Sequence, residues 1–287
     1  MKVGAAFPQK TAVAEPHRMA EFLGEVEEFG FDYISFLEDV AGAPPDRTSG
    51  SSAIPCTCKT ASLDVLTAVA YAAAVTSHLG LSAGMLVLPH RETFLAAKQL
   101  ATIHTLSQGR FRLGLGVAWS HTEQEALQGP FGDWSRVATE QSDTLHRLMV
   151  ELGSGSGNGC CQSDGVGLDS KPVSPIPLWF GGGSARALAR IARWGEGWIP
   201  PRFDPATGEA PDLDPLLREL DEQLELHGRS RAELGIEGWV RWEGPGSIAP
   251  QLETWQAVDA TCVLVMAAGE RMDDHLKALS GALNEFD

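Results

Sequence analysis

The sequence predicts an α/β protein: one (β/α)8 TIM barrel domain spanning residues 1–287. Three observations carry this. Apolar strand-like runs alternate with helical patterns eight times, no second domain or internal repeat interrupts the series, and the 287 residues suit a barrel of about 250. Strict alternation implies parallel strands joined by right-handed crossovers, and eight such units close a barrel. A doubly wound open sheet is the alternative. No G-x-G-x-x-G follows the first strand, which weighs against it.

The elements follow in order. Val3 to Phe7 reads as a strand. Glu15 to Phe29 reads as an amphipathic helix with Met19, Phe22, Leu23 and Val26 inward, closed by Gly30. Tyr33 to Leu37 is the second strand. Ala41 to Thr60 is rich in Pro, Ser and Gly, so it reads as a long covering loop. Leu63 to Ser77 is a helix of small and apolar residues without a wide polar face, which implies that both sides are covered. Strand three is Leu79 to Leu88, its helix Glu92 to Leu106, and strand four Phe111 to Val117. Helical patterns follow at Thr122 to Leu127 and Asp133 to Leu152. Gly153 to Pro175 is an irregular excursion after strand four. Strands Ile176 to Phe180, Trp198 to Ile199, Ile236 to Trp242 and Thr261 to Met266 complete the barrel. Between and after them come helices Ala185 to Trp194, Asp214 to Leu226, Ile248 to Val258 and Arg271 to Leu283.

Composition narrows the function. With 43% hydrophobic and 21% charged residues the chain is globular rather than disordered. Thirty-eight acidic against 22 basic residues give a net charge of -16, which repels a phosphate polyanion and argues against nucleic acid as a partner. The apolar run Val65 to Val75 falls short of the ~20 residues that span a bilayer. No signal-peptide core is visible, so a cytoplasmic location is expected. The five cysteines show no CxxC pair: Cys56 and Cys58, Cys160 and Cys161, and Cys262 read as reduced thiols.

In a barrel of this kind the chemistry sits at the carboxyl ends of the strands. Gly181-Gly182-Gly183-Ser184 lies between strand five and a helix. Bare backbone amides and the unpaired N–H groups of a helix start make a phosphate cradle there, and Arg186, Arg190 and Arg193 are spaced along the helix as a basic face. Gly84, Gly114 and Gly116 fall in the upper parts of strands three and four, where a flat ring could lie on a bare surface or where the glycines relieve crowding. Asp39, just after strand two, is the candidate for proton exchange and His121 the second; Glu38, His90, Arg202 and Glu243 also stand at strand ends. Trp119, Trp198 and Trp242 suggest an apolar pocket, or core filler. No metal-ligand spacing and no nucleophile elbow occur.

Several stretches together carry a family resemblance: Lys2-Val-Gly-Ala-Ala-Phe-Pro8, Gly84-Met-Leu-Val-Leu-Pro-His-Arg91, Leu106-Ser-Gln-Gly-Arg-Phe-Arg-Leu-Gly-Leu-Gly-Val117, Ile176-Pro-Leu-Trp-Phe-Gly-Gly-Gly183 and Trp194-Gly-Glu-Gly-Trp-Ile-Pro200. The chain resembles the bacterial luciferase-like monooxygenase superfamily, in particular its coenzyme F-420-dependent oxidoreductases. The resemblance implies a ring held over Gly84-Met85, where relatives have a non-prolyl cis peptide. It also implies a cofactor phosphate at Gly181 to Ser184 and a wall beside the ring from Gly116 to Trp119. It implies hydride transfer between reduced coenzyme F-420, an 8-hydroxy-5-deazaflavin, and a small organic substrate. A two-component FMN monooxygenase served by a separate reductase is the alternative, and a non-catalytic flavin-binding companion protein a third reading. A homodimer through the Leu63 to Ser77 helix is expected. Many relatives have a histidine after strand two, where this chain has Glu38-Asp39.

Overall fold

The structure, a computed structural model, describes residues 1–40, 61–117, 134–151, 172–202 and 211–286. Outside the described residues lie the expected cover 41–60 with Cys56 and Cys58, the expected helix Thr122 to Leu127, Trp119 and His121. The same holds for residues 153–171 of the expected excursion, with Cys160 and Cys161.

Eight strands run parallel in chain order and close: β1 (Lys2–Ala6), β2 (Tyr33–Phe36), β3 (Gly80–Val87), β4 (Phe111–Gly116), β5 (Leu178–Gly181), β6 (Gly197–Ile199), β7 (Gly235–Arg241) and β8 (Cys262–Met266). β8 returns to β1 with Val3 opposite Val263 and Ala5 opposite Val265. Closure disposes of the open-sheet alternative. Around the strands stand α1 (Gln9–Ala14), α2 (Met19–Glu28), α3 (Val65–Val75), α4 (Thr93–Leu106), α5 (Trp134–His146), α6 (Ala185–Trp194), α7 (Leu213–Leu226), α8 (Ala249–Gln256) and α9 (Met272–Leu283). Among the described residues no helix is long and apolar enough to cross a membrane.

The expected helix Glu15 to Phe29 is not one helix. Glu15 leaves the helical region (φ -125°), Pro16 begins a 3-10 turn, and the regular helix starts only at Met19. Proline lacks the N–H that would join the two pieces. Upstream of that break the chain winds α1, which the sequence reading missed; its burial is confined to Gln9 and Ala12, too little for a visible period. α2 buries Met19, Phe22, Leu23 and Val26 as read. α3 is N-capped by Asp64, whose carboxylate accepts the Thr67 N–H at 2.8 Å. Thr67, Tyr71 and Ala74 leave one stripe of this helix exposed, so the expected covering of both sides does not hold within the chain.

Alternate residues of each strand face inward. At the lower end the interior is charged. Arg112 of β4 pairs with buried Glu237 of β7, while the rings of Tyr33 and Trp179 lie 4.2 and 4.4 Å from its guanidinium. The Tyr33 hydroxyl donates to Glu237 Oε2 at 2.9 Å. Burial pushes the Tyr33 hydroxyl well above its ordinary range, so it remains a donor. Glycine at 4, 197 and 235 makes room for these rings, since a Cβ on any of them would overlap Tyr33 or Trp179.

Candidate functional site

The upper barrel end is shaped by an irregularity in β3. Ala83 lies opposite Leu113, but Leu86 lies opposite Leu115, so Gly84 and Met85 together face one β4 residue. The bond between them is a non-prolyl cis peptide. The Met85 side chain turns inward across the barrel: a Cβ on Gly181 would overlap its sulfur, and one on Gly116 would lie 3.3 Å from its Cβ. Gly84 is likewise closed in, 2.5 Å from Ser35 Oγ by the same measure. Gly114 approaches the Ala83 carbonyl at 2.7 Å and Ile199 at 3.1 Å. The surface expected to be bare is therefore filled by neighbours. A ring at this mouth would rest on Met85 and the Gly84–Met85 peptide, not on exposed glycines.

The glycine run divides. Gly181 is the last residue of β5 and faces Met85. Gly182 adopts φ +106°, a left-handed value that favours glycine; its N–H bonds the Ile199 carbonyl at 3.1 Å, and its carbonyl accepts the Trp198 indole N–H at 2.8 Å. Gly183 packs under Leu216 and Pro201, where a Cβ would come within 2.9 and 3.0 Å. Ser184 is the N-cap of α6, its Oγ accepting the Ala187 N–H at 3.3 Å. The Ala187 N–H also bonds the Ser184 carbonyl at 2.8 Å, so the first turn of α6 is closed from this amide onward. The expected cradle narrows to Gly183, Ser184 and the first residues of α6.

The expected basic face does not form. Arg190 is 4% exposed and donates to the Ser135 carbonyl and hydroxyl and to Thr139 Oγ1 on α5, each at 3.2 Å. Arg193 points outward to Asp143 and stacks on Trp194. A helix whose other residues must pack on α5 turns Arg190 into the protein. The tryptophans are also struts rather than pocket walls: Trp198 is fully buried, and Trp242 lies against Gly281 of α9.

Above β2 the buried carboxylate is Glu38, not Asp39. Glu38 accepts the Val87 N–H and pairs with Arg91, which reaches Asp64 at 3.1 Å. Burial raises the Glu38 carboxyl to about 7, against the opposing pull of Arg91 and of the Val87 N–H. Asp39, half-buried and engaged by a partner, follows it in the chain. His90 lies edge-on to Trp134 at 5.7 Å. Sequence reasoning weighed Glu38 below Asp39 because depth of burial after a strand end is set by the neighbouring strand. Arg91, three residues past Leu88, was the available signal. Among the described residues no three His, Cys, Asp or Glu side chains gather to hold a metal ion.

Comparison with known proteins agrees with this fold. A solved coenzyme F-420-dependent tetrahydromethanopterin reductase from Methanopyrus kandleri superposes with a TM-score of 0.71 at 13% identity, covering 100% of this chain and 99% of that one. The monooxygenase RslO1 from Streptomyces bottropensis gives 0.70 at 14% identity, covering 99% and 98%. At these identities the likeness is one of fold. An uncharacterized protein of Mycobacterium tuberculosis is 27% identical over 189 residues, which is 63% of each chain; the match thus spans less than two thirds of that relative. The family model described as luciferase-like monooxygenase matches residues 1–238, so the chain belongs to the luciferase-like monooxygenase family.

Proposed function

We propose that the protein is an oxidoreductase that binds a flavin-type cofactor at the upper barrel mouth and uses coenzyme F-420 to exchange a hydride with a small organic substrate. The observation that carries this reading is that the α6 N-terminus and the Met85 shelf stand side by side, joined by the contact of Met85 with Gly181. One feature suits an anionic tail and the other the face of a ring. The residues present fit such a group: Gly183, Ser184 and the start of α6 would hold its phosphate, and Met85 with the Gly84–Met85 peptide would bed the ring. The cofactor, when bound, supplies the hydride chemistry. This chain orients the reactants, excludes water and moves a proton. Asp39 is the group proposed for that proton, with His121 second. Glu38 acts as a positioning residue by fixing Val87, two residues from Met85.

The alternative is a two-component enzyme that takes reduced FMN from a separate reductase. A monooxygenase among the fold neighbours supports keeping it. Titrations with F-420 and with FMN, each read by fluorescence, separate the two. Ser184→Asp is the sharper control: aspartate still caps the helix, so folding is kept, while its charge repels a phosphate. Affinity for the true cofactor is expected to fall about tenfold or more with an unchanged melting temperature. Unaltered affinity would remove the phosphate from this corner.

A further inference from the structure

Among the described residues two arginines without a counter-ion stand at the ends of the neighbouring strands β6 and β7, half-buried Arg202 and exposed Arg241. Arg241 ends β7 and continues the inward series Glu237, Trp239, in which Glu237 bonds Tyr33 and Trp239 packs on the inner cluster. Its backbone is clamped: the Gln251 side chain accepts the Arg241 N–H at 2.8 Å and donates to the Arg241 carbonyl at 2.9 Å. That edge of β7 is open to Gln251 because β6 is only three residues long. Arg202 stands above the end of β6, after Pro200 and Pro201, and Pro201 is packed on Gly183. Arg202 is half-buried, and its charged form is disfavoured first by burial and then by the neighbouring Arg241.

Apart from exposed Arg218, the other described arginines of this acidic chain have acceptors. Arg18, Arg91, Arg112 and Arg271 have carboxylates, and Arg110 and Arg190 have carbonyls and hydroxyls. Among the described residues neither the Arg202 nor the Arg241 guanidinium has any such acceptor. In a protein of net charge -16, an anion at this place would offset the burial of Arg202 and the charge of its neighbour Arg241.

We propose that Arg202 and Arg241 form an anion subsite, separate from the cofactor cradle, that takes the carboxylate or phosphate of an acidic substrate. This rests on the proposed function for the word substrate, but not for the anion. The pair lies on the β6–β7 side of the mouth, and the α6 N-terminus on the β5 side. A substrate anchored by its acid group at Arg202 and Arg241 would extend over the Met85 shelf.

The test uses inorganic phosphate and the full chain. Thermal shift is measured in phosphate against chloride of equal ionic strength, for the wild type, Arg202→Gln and Arg241→Gln. Phosphate is expected to raise the melting temperature of the wild type more than that of either variant, with apparent phosphate affinity weakened about tenfold by either change. In chloride each variant should melt no lower than the wild type, because repulsion is relieved. FMN and F-420 affinities should be unaltered in both variants. Equal phosphate shifts in all three proteins would overturn the subsite. Loss of FMN or F-420 affinity would assign the pair to the cofactor tail and overturn the substrate role. A chain that binds phosphate through the pair but takes neither cofactor would uphold the anion subsite and fail the proposed function instead.

Discussion

The sulfur of Met85 occupies the space that a side chain on Gly181 would need. β3 and β5 are not neighbours in the barrel, yet each fixes the residue type of the other across the interior. Gly181→Ala must displace Met85 from its shelf. It is expected to cost about 1–3 kcal/mol by overpacking. Met85→Ala in the same chain should recover much of that loss, a coupling measurable in a double-mutant cycle by urea unfolding. Additive losses would mean that Met85 moves aside freely.

The Arg112–Glu237 pair makes the lower barrel sensitive to charge. Glu237→Gln leaves a buried guanidinium between two rings without its carboxylate and is expected to cost about 3–5 kcal/mol. Replacing both partners by apolar residues, Arg112→Met with Glu237→Leu, should be far less damaging than Glu237→Gln alone. A double variant as unstable as the single one would show that the pair itself, and not the unpaired charge, decides stability.

Glu38 predicts a pH dependence. Its folded carboxyl titrates at about 7, above the ordinary value of 4.5, so the folded protein binds this proton more tightly than the unfolded chain does. The contribution is full below about pH 4.5 and is lost as the pH rises through about 7, amounting to about 3 kcal/mol for this 3% exposed side chain. Glu38→Gln should flatten the fall in urea midpoint across that window. An unchanged slope would place the titration on another group.

The open stripe of Thr67, Tyr71 and Ala74 on α3, with exposed Phe94 and Leu95 on α4, suits a second copy of the chain. Sedimentation should show a dimer at micromolar concentration, and Tyr71→Asp should shift it toward monomer. A monomeric wild type would leave that stripe facing solvent.

The sequence by itself determined the barrel. Alternation of apolar runs and amphipathic helices is a local, periodic signal, and eight repeats of it leave little freedom in topology. It also put all the strand carboxyl ends on one side, because the strands are parallel, and it singled out Gly84-Met85 and Ser184 near those ends. What it could not decide was which way single residues turn. Arg190 was read as part of a basic face, but α5 takes it inward. Gly114 and Gly116 were read either as a bed for a ring or as relief of crowding, and Met85 and the backbone of β3 fill the space they leave, which is the second reading. Arg112 sits in a plain apolar strand, and its partner Glu237 is 125 residues away. Glycine, arginine and carboxylate positions take their meaning from the strand or helix packed opposite, and those contacts exist only after the barrel has closed.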